Sequence, residues 1–502
     1  MKDLSLDVYI PKWTNPYLIP GSKNWVTLDT DPPTMDEIED AITRIKNNKA
    51  AGPDGIVGEA IKGSMHSSTK ILHKLFERIW QTEVFPKDWK EGHIVKLPKK
   101  GNQQECGNHR GIMLLSVPGK VFNRIILERL KAALDSTLRN EQAGFRRGRS
   151  CTDQIATLRI IVEQSLEWNS SLYVNFVDYE KAFDSVDRES LWKILRHYGV
   201  PEKITTIIRK IYHGTSGRVI HSGELTEPFE IKTGVRQGCM LSPFLFLLAI
   251  DFIMKRCTGG RNGIQWTLTS QLDDLDYADD IALLSHNYNQ MQNKTNILGE
   301  ISKSLGLRIN KNKSKTLRLK TTNTNPITVN QEPIEDVSSF CYLGSTIDIE
   351  GGVNEDIKHR IQKARHAFLL LRKVWTNKAI REKTRIKIFN SNVKSVLLYG
   401  SETWRTTKAT LHRLQTFINR CLRIIVGVHW PDTISNANLY ERTNQAPVET
   451  ELKKRKWRWI GHTLRQPRTN LARHSLRWNP QGKKIKRKTK DNLEKRVGGR
   501  DE

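Results

Sequence analysis

The sequence predicts a mixed α+β chain, and three observations carry that expectation. Segments with apolar residues at helical spacing recur along its length. Leu172–Val177 (LYVNFV) is rich in β-branched and aromatic residues and reads as a buried strand. Helices and strands mix without a regular βαβ repeat, and no internal repeat is visible, which favours α+β over α/β.

In chain order, residues 1–33 hold several Pro and Trp with little periodicity and read as a tether. Thr34-Met35-Asp36-Glu37 has the form of a capping box, in which the Thr hydroxyl and the Glu carboxylate satisfy free amides at a helix start. Met35, Ile38, Ala41, Ile42 and Ile45 follow at helical spacing, up to the breakers Ala51-Gly52-Pro53-Asp54-Gly55. Further helices are predicted over 71–80, over 117–130 with Val121, Ile125 and Leu130 on the apolar side, and over 190–198 and 204–212. Residues 275–284 read as two short strands around a tight acidic turn.

At 502 residues there is room for about three domains, taking roughly 150 residues for each. With 37% hydrophobic residues and 13 Trp the chain can bury a sizeable core, which excludes a mainly disordered protein. Lys and Arg number 82 against 54 Asp and Glu, a net charge of +28. So cationic a surface suits a polyanion, with nucleic acid as the default partner and an anionic membrane as the alternative. The excess is steepest at the end: 451–500 holds 18 Lys/Arg and 3 Asp/Glu, with Trp457, Trp459 and Trp478 interleaved. Its 483–490 run, KKIKRKTK, is expected to be disordered when unbound.

The six cysteines, Cys106, Cys151, Cys239, Cys257, Cys341 and Cys421, form no C-x-x-C pair and no Cys/His cluster of zinc spacing. A reducing interior fits them best. The most apolar run, 243–250 (PFLFLLAI), is far too short to span a bilayer. The N-terminus lacks the apolar core of a signal peptide. An intracellular, soluble protein is expected.

Chemistry is signalled first by Tyr277-Ala278-Asp279-Asp280. Adjacent carboxylates at a hairpin tip repel unless a cation neutralises them. Acidic turns are common, however, and the tetrapeptide alone is weak. Asp178 strengthens it, because a carboxylate at the end of a buried strand can face a cleft. Two Mg²⁺ roughly 3.5–4 Å apart need carboxylates from at least two chain segments, and Asp178 with Asp279 and Asp280 meets that need. Asp184, Asp187, Asp273, Asp274 and Asp276 read instead as solvated turn charge or helix caps.

These residues sit in longer stretches that resemble the reverse transcriptases of non-LTR (LINE-like) retrotransposons. FVDYEKAFDSVD (176–187) is similar to their motif A, GVRQGC through LSP (234–243) to motif B, and YADD (277–280) to motif C. AGPDGI (51–56) and LPKKGNQQECGNHRGI (97–112) resemble the fingers motifs, and EQAGFRRGRS (141–150) the short element before motif A. GLRINKNKSK (306–315) looks like motif D and FCYLGS (340–345) like the primer-grip region. Single pieces are weak, but eight in order over about 34–350 are specific. The region beyond, including RWIGH (458–462), also resembles these elements.

The resemblance implies a right-hand polymerase: a tether at 1–33, fingers at 34–150, a palm at 151–350, a helical thumb at 351–450 and a basic tail at 451–502. It implies that Asp178, Asp279 and Asp280, with the Tyr179 carbonyl, hold two Mg²⁺, for which Mn²⁺ could substitute. Phe183 would crowd the sugar 2′-position, its plain alternative being core packing. Lys99, Lys100 and Arg110 would grip the triphosphate, or else face solvent as ordinary charge. Gly234, Gln237 and Gly238 would line the nucleotide and template, although glycines there also suit a plain turn. Lys313 would protonate leaving pyrophosphate. Tyr342, Leu343 and Gly344 would meet the primer, and Lys456, Trp457 and Arg458 the nucleic acid, unless the tail tryptophans close a small helical core.

The implied reaction is RNA-templated addition of dNTPs to a primer 3′-hydroxyl, with an RNA template and a DNA primer or target as partners, in a ribonucleoprotein of the nucleus or cytoplasm. Full-length elements carry an apurinic-type endonuclease ahead of the polymerase. Residues 1–33 are too few for one, so a fragment or truncated copy is expected. A decayed or repurposed copy that only binds RNA or DNA is the rival, and pure binding does not need the three aspartates. A group II intron maturase fits the fingers and motif A less well.

Overall fold

The computed structural model describes residues 27–99, 101–258 and 262–480. Lys100, most of the expected tether and the 483–490 run lie outside the described residues. The chain divides into two compact units. The first comprises Met1–Arg147, Asp178–Gly260 and Thr295–Asn310; the second comprises Gly148–Val177, Arg261–Lys294 and Lys311–Glu502.

Two five-stranded sheets and a hairpin draw on the following strands. Through the first half of the chain they are β1 (Glu91–Pro98), β2 (His109–Leu114), β3 (Leu172–Val177), β4 (Ser216–His221), β5 (Glu224–Leu225) and β6 (Phe229–Glu230). Then come β7 (Asp274–Tyr277), β8 (Asp280–Ser285), β9 (Lys315–Leu319), β10 (Glu335–Asp336), β11 (Ser339–Tyr342) and β12 (Ser345–Asp348).

In the first unit the sheet order is β2-β1-β4-β5, with β6 on β4. β1 and β2 are antiparallel, while β1 and β4 are parallel. The capping box forms as read: Thr34 Oγ accepts from the Glu37 amide and Glu37 accepts from the Thr34 amide. That helix, Met35–Thr43, is held by Glu37, whose carboxylate meets the buried Arg129 guanidinium at 2.6 Å. The helices predicted over 71–80 and 117–130 run further, as Met65–Thr82 and Val117–Leu134. Those predicted over 190–198 and 204–212 are Arg188–His197 and Glu202–Tyr212. The run PFLFLLAI belongs to the helix Ser242–Cys257, which is buried on nearly every side and so shows no amphipathic stripe. Asp251, buried within that helix, is satisfied by Lys255 Nζ at 2.9 Å and by the Arg139 amide at 2.9 Å.

In the second unit the order is β10-β9-β3-β8-β7. β3 lies between two antiparallel neighbours, β8 and β9, which explains burial along its whole length. The helix Cys151–Glu167 packs Ile155, Leu158 and Ile161 in one core with Leu172, Val174 and Phe176. A second core joins the helices Asn354–Leu370 and Lys408–Val426 through Ile357, Phe368, Trp375, Phe389, Leu414 and Leu422.

The tail tryptophans divide. Trp459 is buried and donates through Nε1 to Asp153 at 2.9 Å. Trp478 is buried, donates to the Gln265 carbonyl at 2.8 Å and stacks on Trp266. For these two the packing alternative holds, whereas Trp457 is 55% exposed on the helix Val448–Arg465. Among the described residues no helix is long and apolar enough to cross a membrane. Cys151, Cys239, Cys257, Cys341 and Cys421 are free thiols.

Candidate active site

The acidic tetrapeptide forms a two-residue turn. Tyr277 ends β7 and faces Asp280, the first residue of β8, so Ala278 and Asp279 are the turn itself. Ala278 is buried and takes φ +57°, a left-handed conformation that costs a non-glycine residue on the order of 1–3 kcal/mol. Such strain persists only where the surroundings fix it. Asp280 is exposed and Asp279 half-buried. The strand leading in differs from the sequence reading. Asp273, Asp274 and Asp276 are buried, not solvated, and Asp273 pairs at 2.8 Å with Lys294, itself fully buried. A buried ammonium and carboxylate need each other, since either alone would keep its full desolvation cost.

β3 runs antiparallel to β8 with Val177 opposite Ile281. Asp178 is the next residue after Val177, and Asp280 is the residue before Ile281. In the first unit the Asp178 carbonyl accepts from the Asn310 amide at 2.8 Å, and the Tyr179 hydroxyl meets Ser302 Oγ at 2.8 Å. The motif A segment is thus tied to the start of the motif D segment.

The motif A and motif B segments also meet in the first unit. Val235 N donates to the Phe183 carbonyl at 2.7 Å, and Gly234 N to that of Val186 at 2.9 Å. A Cβ on Gly234, at φ +72°, would stand 2.5 Å from the Asp184 backbone. One on Gly238 would stand 2.2 Å from the Met113 carbonyl. Both glycines therefore answer to close approach of the chain to itself. Phe183 stacks on Phe246, with centroids 4.5 Å apart, and stays half-buried. Gln237 Nε2 donates to both Asp184 oxygens, at 3.3 and 3.4 Å. Protein crowding strips water from that carboxyl and pushes its pKa up, against the pull of the Gln237 hydrogen bond and of the Lys181 and Lys99 charges. Asp184, read as solvated turn charge or a helix cap, is exposed and holds the Gln237 amide, with the Lys99 charge acting on it. Lys99 also donates to the Gly107 carbonyl at 3.2 Å, and Arg110 is exposed on β2 opposite Leu97. Asp187 caps the helix Arg188–His197 through the Ser190 amide, at 2.7 Å.

The remaining predicted positions belong to the second unit. Lys313 is exposed in the turn before β9. Tyr342 is buried, its hydroxyl donating to the Leu275 carbonyl of β7 at 3.0 Å. Burial, with Asp276, Asp280 and Asp274 near, holds that phenol well above its ordinary pKa. Leu343 and Gly344 form the half-buried turn between β11 and β12. Lys456 is half-buried and Arg458 exposed, beside Trp457.

Among the described residues no three His, Cys, Asp or Glu side chains gather closely enough to hold a metal ion. The donor chemistry of Asp178, Asp279 and Asp280 is nevertheless that of a hard divalent cation, oxygen without thiol or imidazole.

One sheet thus carries an acidic hairpin tip beside a strand that runs into a further aspartate. Residues 97–347 match the family model described as reverse transcriptase (RNA-dependent DNA polymerase), and the chain belongs to that family, which uses a divalent metal. Its lineage is that of the non-LTR retrotransposon polymerases. Residues 367–399 match a domain of unknown function. The chain is 25% identical to the probable RNA-directed DNA polymerase from transposon BS of Drosophila melanogaster over 487 residues, 92% of this chain and 52% of the relative. It is 26% identical to that from transposon X-element of the same fly, over 91% of this chain and 50% of the relative. The chain thus spans about half the length of these curated relatives. A solved telomerase from Candida tropicalis, in complex with a fragment of telomeric RNA, aligns at TM-score 0.41 and 15% identity over 81% of this chain and 68% of that one.

Proposed function

We propose that this chain is an RNA-directed DNA polymerase that adds dNTPs to the 3′-hydroxyl of a DNA primer on an RNA template. The observation that carries the reading is the strand register: Val177 opposite Ile281 brings β3 and the acidic turn to the same end of one sheet. The division proposed is fingers at 34–150, palm at 151–350, thumb at 351–450 and basic tail at 451–502.

Asp178, Asp279 and Asp280, with the Tyr179 carbonyl, hold two Mg²⁺ in this reading. Bound there, the ions would lower the pKa of the primer hydroxyl and stabilise charge on the α-phosphate. Lys99, Lys100 and Arg110 bind the triphosphate as cations. Phe183 blocks the sugar 2′-position, and its stacking on Phe246 supports a fixed ring rather than a mobile one. Gln237 and Gly238 flank the incoming nucleotide, and the Asp184 carboxylate orients the Gln237 amide. Lys313 protonates departing pyrophosphate. Tyr342, Leu343 and Gly344 form the primer-side hairpin. Lys456, Trp457 and Arg458 bind nucleic-acid backbone and bases, in keeping with the net charge of +28. A ribonucleoprotein of nucleus or cytoplasm is the setting.

The test is extension of a DNA primer on an RNA template by the purified chain with Mg²⁺ and either dNTPs or rNTPs. Extension with dNTPs alone, relaxed toward rNTPs in Phe183→Val, supports the proposal. A chain that binds the hybrid yet adds nothing sinks it in favour of a binding protein.

A further inference from the structure

The turn between β11 and β12 is an unusual one. Tyr342 pairs with Ser345, which leaves Leu343 and Gly344 as a two-residue turn with φ of +47° and +81°. Two positive φ values mark the hairpin turn that usually calls for Asn-Gly, and here its first position is leucine. A leucine holds that conformation only if its surroundings impose it.

The surroundings are side chains of the helical region. The Leu343 carbonyl accepts from the Tyr399 hydroxyl at 2.9 Å, and the Gly344 carbonyl accepts from Arg360 Nη2. Both carbonyls of the turn are therefore capped. The two donors brace each other, with the Arg360 guanidinium over the Tyr399 ring 4.3 Å from its centroid. Arg360 in turn lies 3.9 Å from Asp356, which also accepts from Ser345 Oγ at 2.6 Å and from the Thr346 amide at 3.0 Å.

The same turn is linked to the acidic one. Tyr342 reaches the Leu275 carbonyl of β7 at 3.0 Å. The Cys151 thiol lies near both Tyr399 and Tyr277, the residue that opens the Tyr-Ala-Asp-Asp turn, and helps to raise the pKa of each phenol. Tyr399 thus holds the hairpin turn through Leu343, and the hairpin holds the strand that leads into the acidic turn through Tyr342.

We infer that Arg360 and Tyr399 are positioning residues: they hold the Leu343–Gly344 turn in one strained conformation at a set distance from Asp279 and Asp280, and so fix where the primer 3′ end is presented. The inference rests on the proposal that this hairpin meets the primer. Neither residue touches the reacting atoms. Their loss misplaces the primer end without removing a ligand of metal or nucleotide.

The full chain, with Tyr399→Phe and Arg360→Lys, would be compared in single-nucleotide extension and in photocrosslinking to a primer ending in 4-thiothymidine. Tyr399→Phe keeps the ring beneath Arg360 and removes only the hydroxyl, so its Tm serves as the control on folding. The expected result is a kcat at saturating primer–template at least about tenfold lower, with the dNTP KM unchanged, Tm kept, and the crosslink within 339–348 weakened. A crosslink and kcat the same as wild type in both variants overturn the inference. A wild-type chain that extends the primer but does not crosslink within 339–348 instead overturns the primer reading of the hairpin, and the inference with it.

Discussion

Arg159 Nη2 donates to Asp356 Oδ2 at 2.7 Å, and both side chains are almost wholly buried. The same carboxylate oxygen accepts from Ser345 Oγ at 2.6 Å and from Trp404 Nε1 at 2.9 Å. One buried oxygen thereby joins the helix Cys151–Glu167, the β11–β12 hairpin, the helix Asn354–Leu370 and the segment at 404. Removing one partner of such a pair strands the other charge without water. Arg159→Ala is expected to lower stability by about 3–5 kcal/mol in urea unfolding. A loss under about 1 kcal/mol would mean that water reaches the site and that the network is not holding these elements together.

Glu163 lies near Arg405, Arg159 and Lys456, yet burial pushes its pKa from 4.5 up to about 7. Between those two values the folded chain keeps a proton that the unfolded chain releases, so stability falls as pH rises through that window. Glu163→Gln, neutral throughout, removes that slope. Its stability relative to wild type should rise between about pH 5 and about pH 7.5, by up to about 2–3 kcal/mol. Parallel stability curves for the two proteins across that range would show that Glu163 stays solvated.

Trp457 and Trp459 are two residues apart and should behave oppositely. Trp459→Ala opens the buried side of the helix Val448–Arg465, strips Asp153 of a donor, and is expected to cost about 3–5 kcal/mol of stability. Trp457→Ala should change stability by no more than about 0.5 kcal/mol while weakening single-strand binding by about 1–3 kcal/mol. Calorimetry and a binding titration at two salt concentrations separate these effects. Unchanged binding in Trp457→Ala removes it from the proposed nucleic-acid face.

What was legible in the sequence follows the range of the interactions. Strand Leu172–Val177 and the Thr34 cap are written in neighbouring residues, and both form as read. The Tyr-Ala-Asp-Asp hairpin was also visible, because its turn and strands lie within a dozen residues. The helix Ser242–Cys257 was not, since a helix buried on all sides loses its stripe. Long-range partners were hidden too. Nothing near Trp459 announces Asp153, 306 residues away, and nothing near Asp273 announces the buried Lys294. At the candidate site the acidic residues stood out by composition. The Gln237–Asp184 contact and the caps on the Leu343–Gly344 turn did not, because they depend on segments meeting in the fold.

The central claim is that Asp178, Asp279 and Asp280 are the catalytic carboxylates. Single-turnover addition of one dNTP to a primer on an RNA template, in Mg²⁺, compares wild type with Asp279→Ala most directly. The account predicts that the variant binds the primer–template as wild type does and keeps its Tm, while the rate of addition falls at least about a hundredfold. A variant that extends the primer within about threefold of the wild-type rate would contradict it.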